Sequence, residues 1–133
     1  MNYTRPVPYL LGVIMILLAV LVPGGPVETR SFADLPAWVY WGFNAFLIGL
    51  GVFTVIALVF AALKRRWAFT SAIVAGALYI LVYVLDLAGI FPVSPDPMPA
   101  ALLWIEVIDS FLAAVLILFA AKASKALKQY EQS

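Results

Sequence analysis

The chain has 133 residues, 65% of them hydrophobic and 11% charged, with a formal net charge of +1. Soluble domains run at about 45–50% apolar and about 25% charged, and one this small cannot hide so much apolar surface, so lipid must cover the remainder. Cys and His are both absent, which excludes disulfides, thiolate or imidazole metal sites, Cys or His nucleophile–base pairs and histidine-ligated haem. No cofactor is therefore expected, and a bound metal would have to be a hard cation held by oxygens.

The first apolar stretch covers residues 6–22 and stops at Pro23-Gly24-Gly25-Pro26. No small-x-small cleavage pattern follows it, so it reads as a retained helix and not as a signal peptide. The second stretch, 38–63, ends at Lys64-Arg65-Arg66, and the third, 68–91, ends in the Pro-rich segment 92–99. The fourth, 100–121, runs into a tail, 122–133, expected to continue the helix out of the lipid. Each is near the roughly 17–25 residues that cross a hydrocarbon core of about 30 Å. A β-barrel is excluded because the segments are continuously apolar and four strands cannot close. The expected fold is an all-α integral membrane protein, a single 1–133 domain built as a four-transmembrane-helix up-down bundle.

Orientation follows from Lys and Arg. Arg5, Lys64, Arg65, Arg66, Lys122, Lys125 and Lys128 fall on one side, and only Arg30 falls on the other. Both termini are therefore expected in the cytoplasm. The two outer loops, 23–37 and 92–99, carry seven of the nine prolines, which fixes φ at many positions and predicts a rigid outer rim. The turn near 64–67 is short and makes helices two and three an antiparallel hairpin.

Polar groups inside the stretches carry the functional expectation. At about 1.5 Å per residue, Asn44, Asp86 and Glu106 each lie about 8–9 Å from an outer helix end, and Asp109 lies at about 13 Å. Glu106 and Asp109 share a face of helix four, with Ser110 beside them. Tyr79, Tyr83 and Asp86 share a face of helix three, which Ala72 and Gly76 extend as a small-xxx-small pair suited to close packing. Trp41, Asn44, Ile48 and Gly51 are expected to line the interior face of helix two, and Gly42, Gly49 and Gly51 to act as packing notches. Three carboxyls in lipid must be paired, protonated, hydrated or metal-bound. Arg30 is the expected counter-ion or gate, should its loop fold over the mouth.

The expected site is thus an outward-open pocket of Trp41, Asn44, Tyr79, Tyr83, Asp86, Glu106 and Asp109. It suits an organic cation, a hard metal ion or a proton-coupled solute. The plainer alternative is a set of interfacial, partly hydrated acids that lock the bundle. A further alternative is an accessory or scaffolding subunit of a larger membrane complex, whose partner supplies Lys or Arg to the acids. A membrane enzyme acting on a lipid-like substrate would use the Glu106/Asp109 pair as acid and base, but no catalytic nucleophile is identifiable. Transport through four helices calls for a homo-oligomer. Nothing resembles a phosphate-binding loop or a nucleic-acid surface, so the expected partners are the lipid bilayer and other membrane chains.

Overall fold

Proline and turn chemistry set the helix boundaries in the computed structural model, which describes residues 2–23 and 25–132. Gly24 of the predicted breaker, Ser133 of the predicted tail, and the Glu131 and Gln132 side chains of that tail lie outside the described residues. Helix α1 spans Pro6–Leu21 and opens on a proline, whose missing N–H has no helical partner to lose. Helix α2 spans Ala37–Ala62, α3 spans Arg66–Leu87 and α4 spans Ala100–Gln132. The chain is all-helical, and α2, α3 and α4 are long and apolar enough to cross a membrane. At 16 residues, or about 24 Å, α1 is apolar but shorter.

Helix three ends four residues earlier than the expected 91, and the cause is Gly89. Its φ of +73° closes a Schellman turn, in which Ile90 N–H donates to the Leu85 carbonyl at 2.9 Å and Gly89 N–H donates to Asp86 O at 3.0 Å. The apolar run Gly89-Ile90-Phe91 hid this stop. Asp86 consequently sits in the last turn of α3 and not five residues inside it, which corrects the depth expected for it. Helix α2 ends in the same way, with Lys64 in the left-handed position at φ 59°. There Arg65 N–H donates to Phe60 O and Lys64 N–H to Ala61 O, both at 2.9 Å.

Each helix buries a seam that repeats every three and four residues. On α4 it is Leu102, Glu106, Asp109, Ala113, Leu116, Ala120 and Ala123; on α1 it is Val7, Leu11, Ile14, Leu18 and Leu21. On α2 it is Leu47, Leu50, Thr54, Ala57 and Ala61. A 3.5-residue repeat is the pattern of knobs-into-holes packing with a left-handed supercoil. The helices form a ring in chain order, α1 against α2, α2 against α3, α3 against α4 and α4 against α1, with α2 and α4 diagonal. Neighbours run antiparallel. Gly12 of α1 lies against Leu58 of α2, Gly76 of α3 against Ile117 of α4, and Tyr3 stacks on Phe119.

Gly76 lets α3 and α4 approach closely. A Cβ there would lie 2.7 Å from Ile117 Cγ1 and 3.1 Å from the Ala113 carbonyl. Gly42, Gly49 and Gly51 are different: an added Cβ would meet nothing within 4 Å. They face outward, so the expectation that they are packing notches fails within this chain. The expected interior face of α2 also turns out to be its outer face, with Trp41 and Ile48 exposed.

Candidate functional site

Helix α1 is too short to reach the outer end of the bundle. Leu18 and Leu21 lie beside Phe43 and Leu47, about two turns or more below the start of α2. Residues 25–36 of the connection fill the space and bury Glu28 and Phe32. Its neighbour across the rim is segment 88–99. Ser31 is held between them: its N–H donates to Asp96 Oδ2 at 2.6 Å, and its carbonyl accepts from Ser94 Oγ at 2.6 Å. Phe43 and Phe91 add an edge-on aromatic contact at 5.1 Å.

That clamp places Arg30 inward. Its Nε donates to Glu28 Oε1 at 2.8 Å and its Nη2 to Glu28 Oε2 at 2.6 Å, a two-point fork. The same Nη2 reaches both Asp86 oxygens, at 3.0 and 3.1 Å. The Arg30 side chain is only 6% exposed, and the carboxylates are equally covered. The hydrogen bond that Arg30 donates to Glu28 pushes the guanidinium's pKa up; burial works against this, and the field of Asp86 adds to the rise, so the charge is held firmly. It also offsets the unfavourable placing of a carboxylate at a helix C-terminus.

Behind the ion pair stands Glu106, 3% exposed. It lines the same small cavity as Asp86 and Glu28, and its Oε2 is buried without a partner. That cavity, of about 20 Å³, also touches Tyr83 and has room for one water molecule. Further inward, Tyr83 donates to Asp109 Oδ2 at 2.5 Å. Asp109 Oδ1 and Ser110 Oγ are buried without partners. One turn deeper, Tyr79 OH and Thr54 Oγ1 are 2.9 Å apart. Thr54 donates its only proton to the Leu50 carbonyl at 2.6 Å, so Tyr79 is the donor to Thr54.

Outside the ion pair lies a vestibule of about 590 Å³. Glu28 and Arg30 form its floor, and Phe32, Tyr40 and Trp41 form an aromatic wall. The Arg30 guanidinium carbon is 5.4 Å from the Phe32 ring centre. Glu28 touches both the vestibule and the small cavity, so the Glu28–Arg30 pair is the partition between them.

Tyr79, Tyr83, Asp86, Glu106 and Asp109 thus come together along the interior, with Arg30 across the outermost acid. Trp41 does not join them; it is 68% exposed and faces the vestibule. Asn44 donates to the Tyr40 carbonyl of its own helix at 2.8 Å and stands apart from the acids. Sequence reasoning missed Glu28 and Thr54. The seam through Ala57 and Ala61 would have found Thr54, since the same repeat extends outward to Leu50, Leu47 and Phe43 and passes Asn44 by.

The family model of a domain of unknown function, DUF8051, matches residues 3–133. The chain belongs to the DUF8051 family. No curated protein and no solved structure matches it. The matched span holds every residue of the site in this DUF8051 member. Glu28, Asp86 and Glu106 line one cavity beside a single guanidinium, so acids outnumber bases there. Among the described residues no group of three or more His, Cys, Asp or Glu side chains is arranged to hold a metal ion. The cation in the cluster is Arg30.

Proposed function

We propose that this chain is a multi-pass membrane protein, both termini cytoplasmic, that binds a small organic cation at its outer end. In this reading Arg30 is the resident cation that the ligand displaces. The observation that carries it is the Arg30 guanidinium, held across Glu28 and Asp86 at the floor of an aromatic vestibule. Aromatic faces and carboxylates together are the chemistry that holds a weakly hydrated cation. The surplus of acid favours a second positive charge over an anion. The buried cavity admits little more than water, so a ligand enters only as Arg30 and segment 25–36 swing out. Passage across the bilayer would call for a further opening along the Tyr83, Asp109 and Tyr79 ladder, and with it a homo-oligomer.

Calorimetric titration of tetraphenylphosphonium into protein held in lipid nanodiscs tests this. Saturable binding is expected in the wild type, weakened about tenfold in Asp86→Asn, a loss of about 1.4 kcal/mol. Arg30→Lys keeps the charge but not the fork, so it competes less well and binding tightens. Binding indifferent to both substitutions, or no saturable binding in either the wild type or Arg30→Lys, would sink the reading.

The outer face of α2 favours a second reading, a subunit of a larger membrane complex. Its glycines meet nothing in this chain, and Ile48, Val52 and Ile56 are exposed beside them. Small residues on an outward helix face allow a partner helix to approach closely. Recovery of a fixed partner through mild-detergent purification, abolished by Gly49→Leu, would favour it over the first.

A further inference from the structure

A second large concavity lies at the opposite end from the acids, between α1 and α2. It is a groove of about 780 Å³, open along its side. Arg5 and Lys64 stand at its mouth with Asn2. Among the described residues neither base makes an ion pair. Below them the groove is apolar: Tyr9, Val13 and Ile16 form one wall, and Gly12, Ala61 and Ala62 keep the floor low. From Arg5 to Ile16 the wall descends about 17 Å at 1.5 Å per residue. Half of a hydrocarbon core is about 15 Å. The groove is therefore one leaflet deep, cationic where headgroups lie and apolar where acyl chains lie.

The left-handed turn at Lys64, φ 59°, sets that base at the groove's mouth beside Arg5.

We propose that this groove seats one anionic phospholipid of the adjoining leaflet, its phosphate between Arg5 and Lys64 and an acyl chain along Val13 and Ile16. The idea rests on the membrane reading above but not on the cation site. A soluble anion would use the two bases and leave the leaflet-deep apolar trough without purpose, whereas a lipid uses both.

The test is native mass spectrometry of protein released from nanodiscs of equal phosphatidylglycerol and phosphatidylcholine. The wild type is expected to retain phosphatidylglycerol preferentially. Arg5→Gln and Lys64→Gln should each cut that preference about fivefold, the effect of one base near the surface. Lys125→Gln with Lys128→Gln removes twice the charge of either single change from the same end but off the groove, and should leave the preference intact. Val13→Trp keeps every charge, fills the trough and should lose the lipid. A loss in the Lys125/Lys128 double variant as large as in Arg5→Gln or Lys64→Gln, or an unchanged preference in Val13→Trp, would mean that the basic end attracts lipid without a seat, and the proposal fails. Protein stripped from membranes by carbonate would overturn the membrane reading and the groove with it.

Discussion

A guanidinium sealed between two carboxylates, with a third carboxyl behind them, is costly to assemble and costlier to disturb. Desolvating each ion opposes folding by several kcal/mol, and only mutual attraction with well-formed hydrogen bonds offsets it. Arg30 supplies both, to Glu28 in a two-point fork and to Asp86 through a shared nitrogen. Arg30→Gln removes the positive charge and leaves buried acids uncompensated. The expected loss is about 3–5 kcal/mol of stability, read as a lower melting temperature in detergent. Adding Asp86→Asn removes one of the stranded charges, so the double variant should recover part of the loss. A double variant as unstable as the sum of its singles would show that Arg30 and Asp86 are not coupled. The pairing was legible as chemistry, because Arg30 is the lone base beyond the outer helix ends. Glu28 was not legible, because nothing in Glu28-Thr29-Arg30 distinguishes a buried fork from a solvated loop. That depends on α1 ending short.

At the scale of the helix, α3 packs through small and polar residues, whereas α1 packs through large apolar ones. A helix surrounded by lipid is apolar on every side, so the usual contrast between faces is lost. The seam survives in other residue types. On α3 it is Ala72, Gly76, Tyr79, Tyr83 and Asp86, and it was readable in advance for that reason. On α2 the polar residue nearest the outer end, Asn44, satisfies its amide on its own helix and lies off the seam. Thr54, one donor buried at the centre of the bundle, marks the phase correctly. The two kinds of glycine then part company. Gly76→Ala forces its new methyl into Ile117 and the Ala113 carbonyl, and is expected to cost about 1–3 kcal/mol. Gly49→Ala meets nothing and gains helix propensity, so it should be neutral or slightly stabilising. Thermal unfolding of the two variants side by side decides it. Equal damage would mean that α2's outer face is packed against another chain, which would move the argument toward the subunit reading.

Across the whole molecule, charge separates as sharply as the helices do. Arg5, the turn Lys64-Arg65-Arg66 and the α4 residues Lys122, Lys125 and Lys128 gather at one end, where Lys122 sits over the Tyr3 ring. Six of the seven acids gather at the other with Arg30, and Glu131 alone falls in the tail beyond Lys128. Residue counts along the sequence already implied this, because topology depends on spacing and charge alone and not on how side chains pack. Helix α4 is 33 residues, about 50 Å, longer than the roughly 30 Å of a hydrocarbon core. An arrangement with this end in the cytoplasm satisfies the positive-inside bias, and the reverse would translocate seven bases. A fluorescent protein that matures only in the cytoplasm, fused after residue 133, should therefore shine, and a phosphatase active only outside should be silent there. The same phosphatase inserted in segment 88–99 should be active. A silent fluorescent fusion paired with an active C-terminal phosphatase would invert the molecule. The aromatic vestibule and Arg30 would then face the cell interior, and any cation reaching them would come from the cytoplasm.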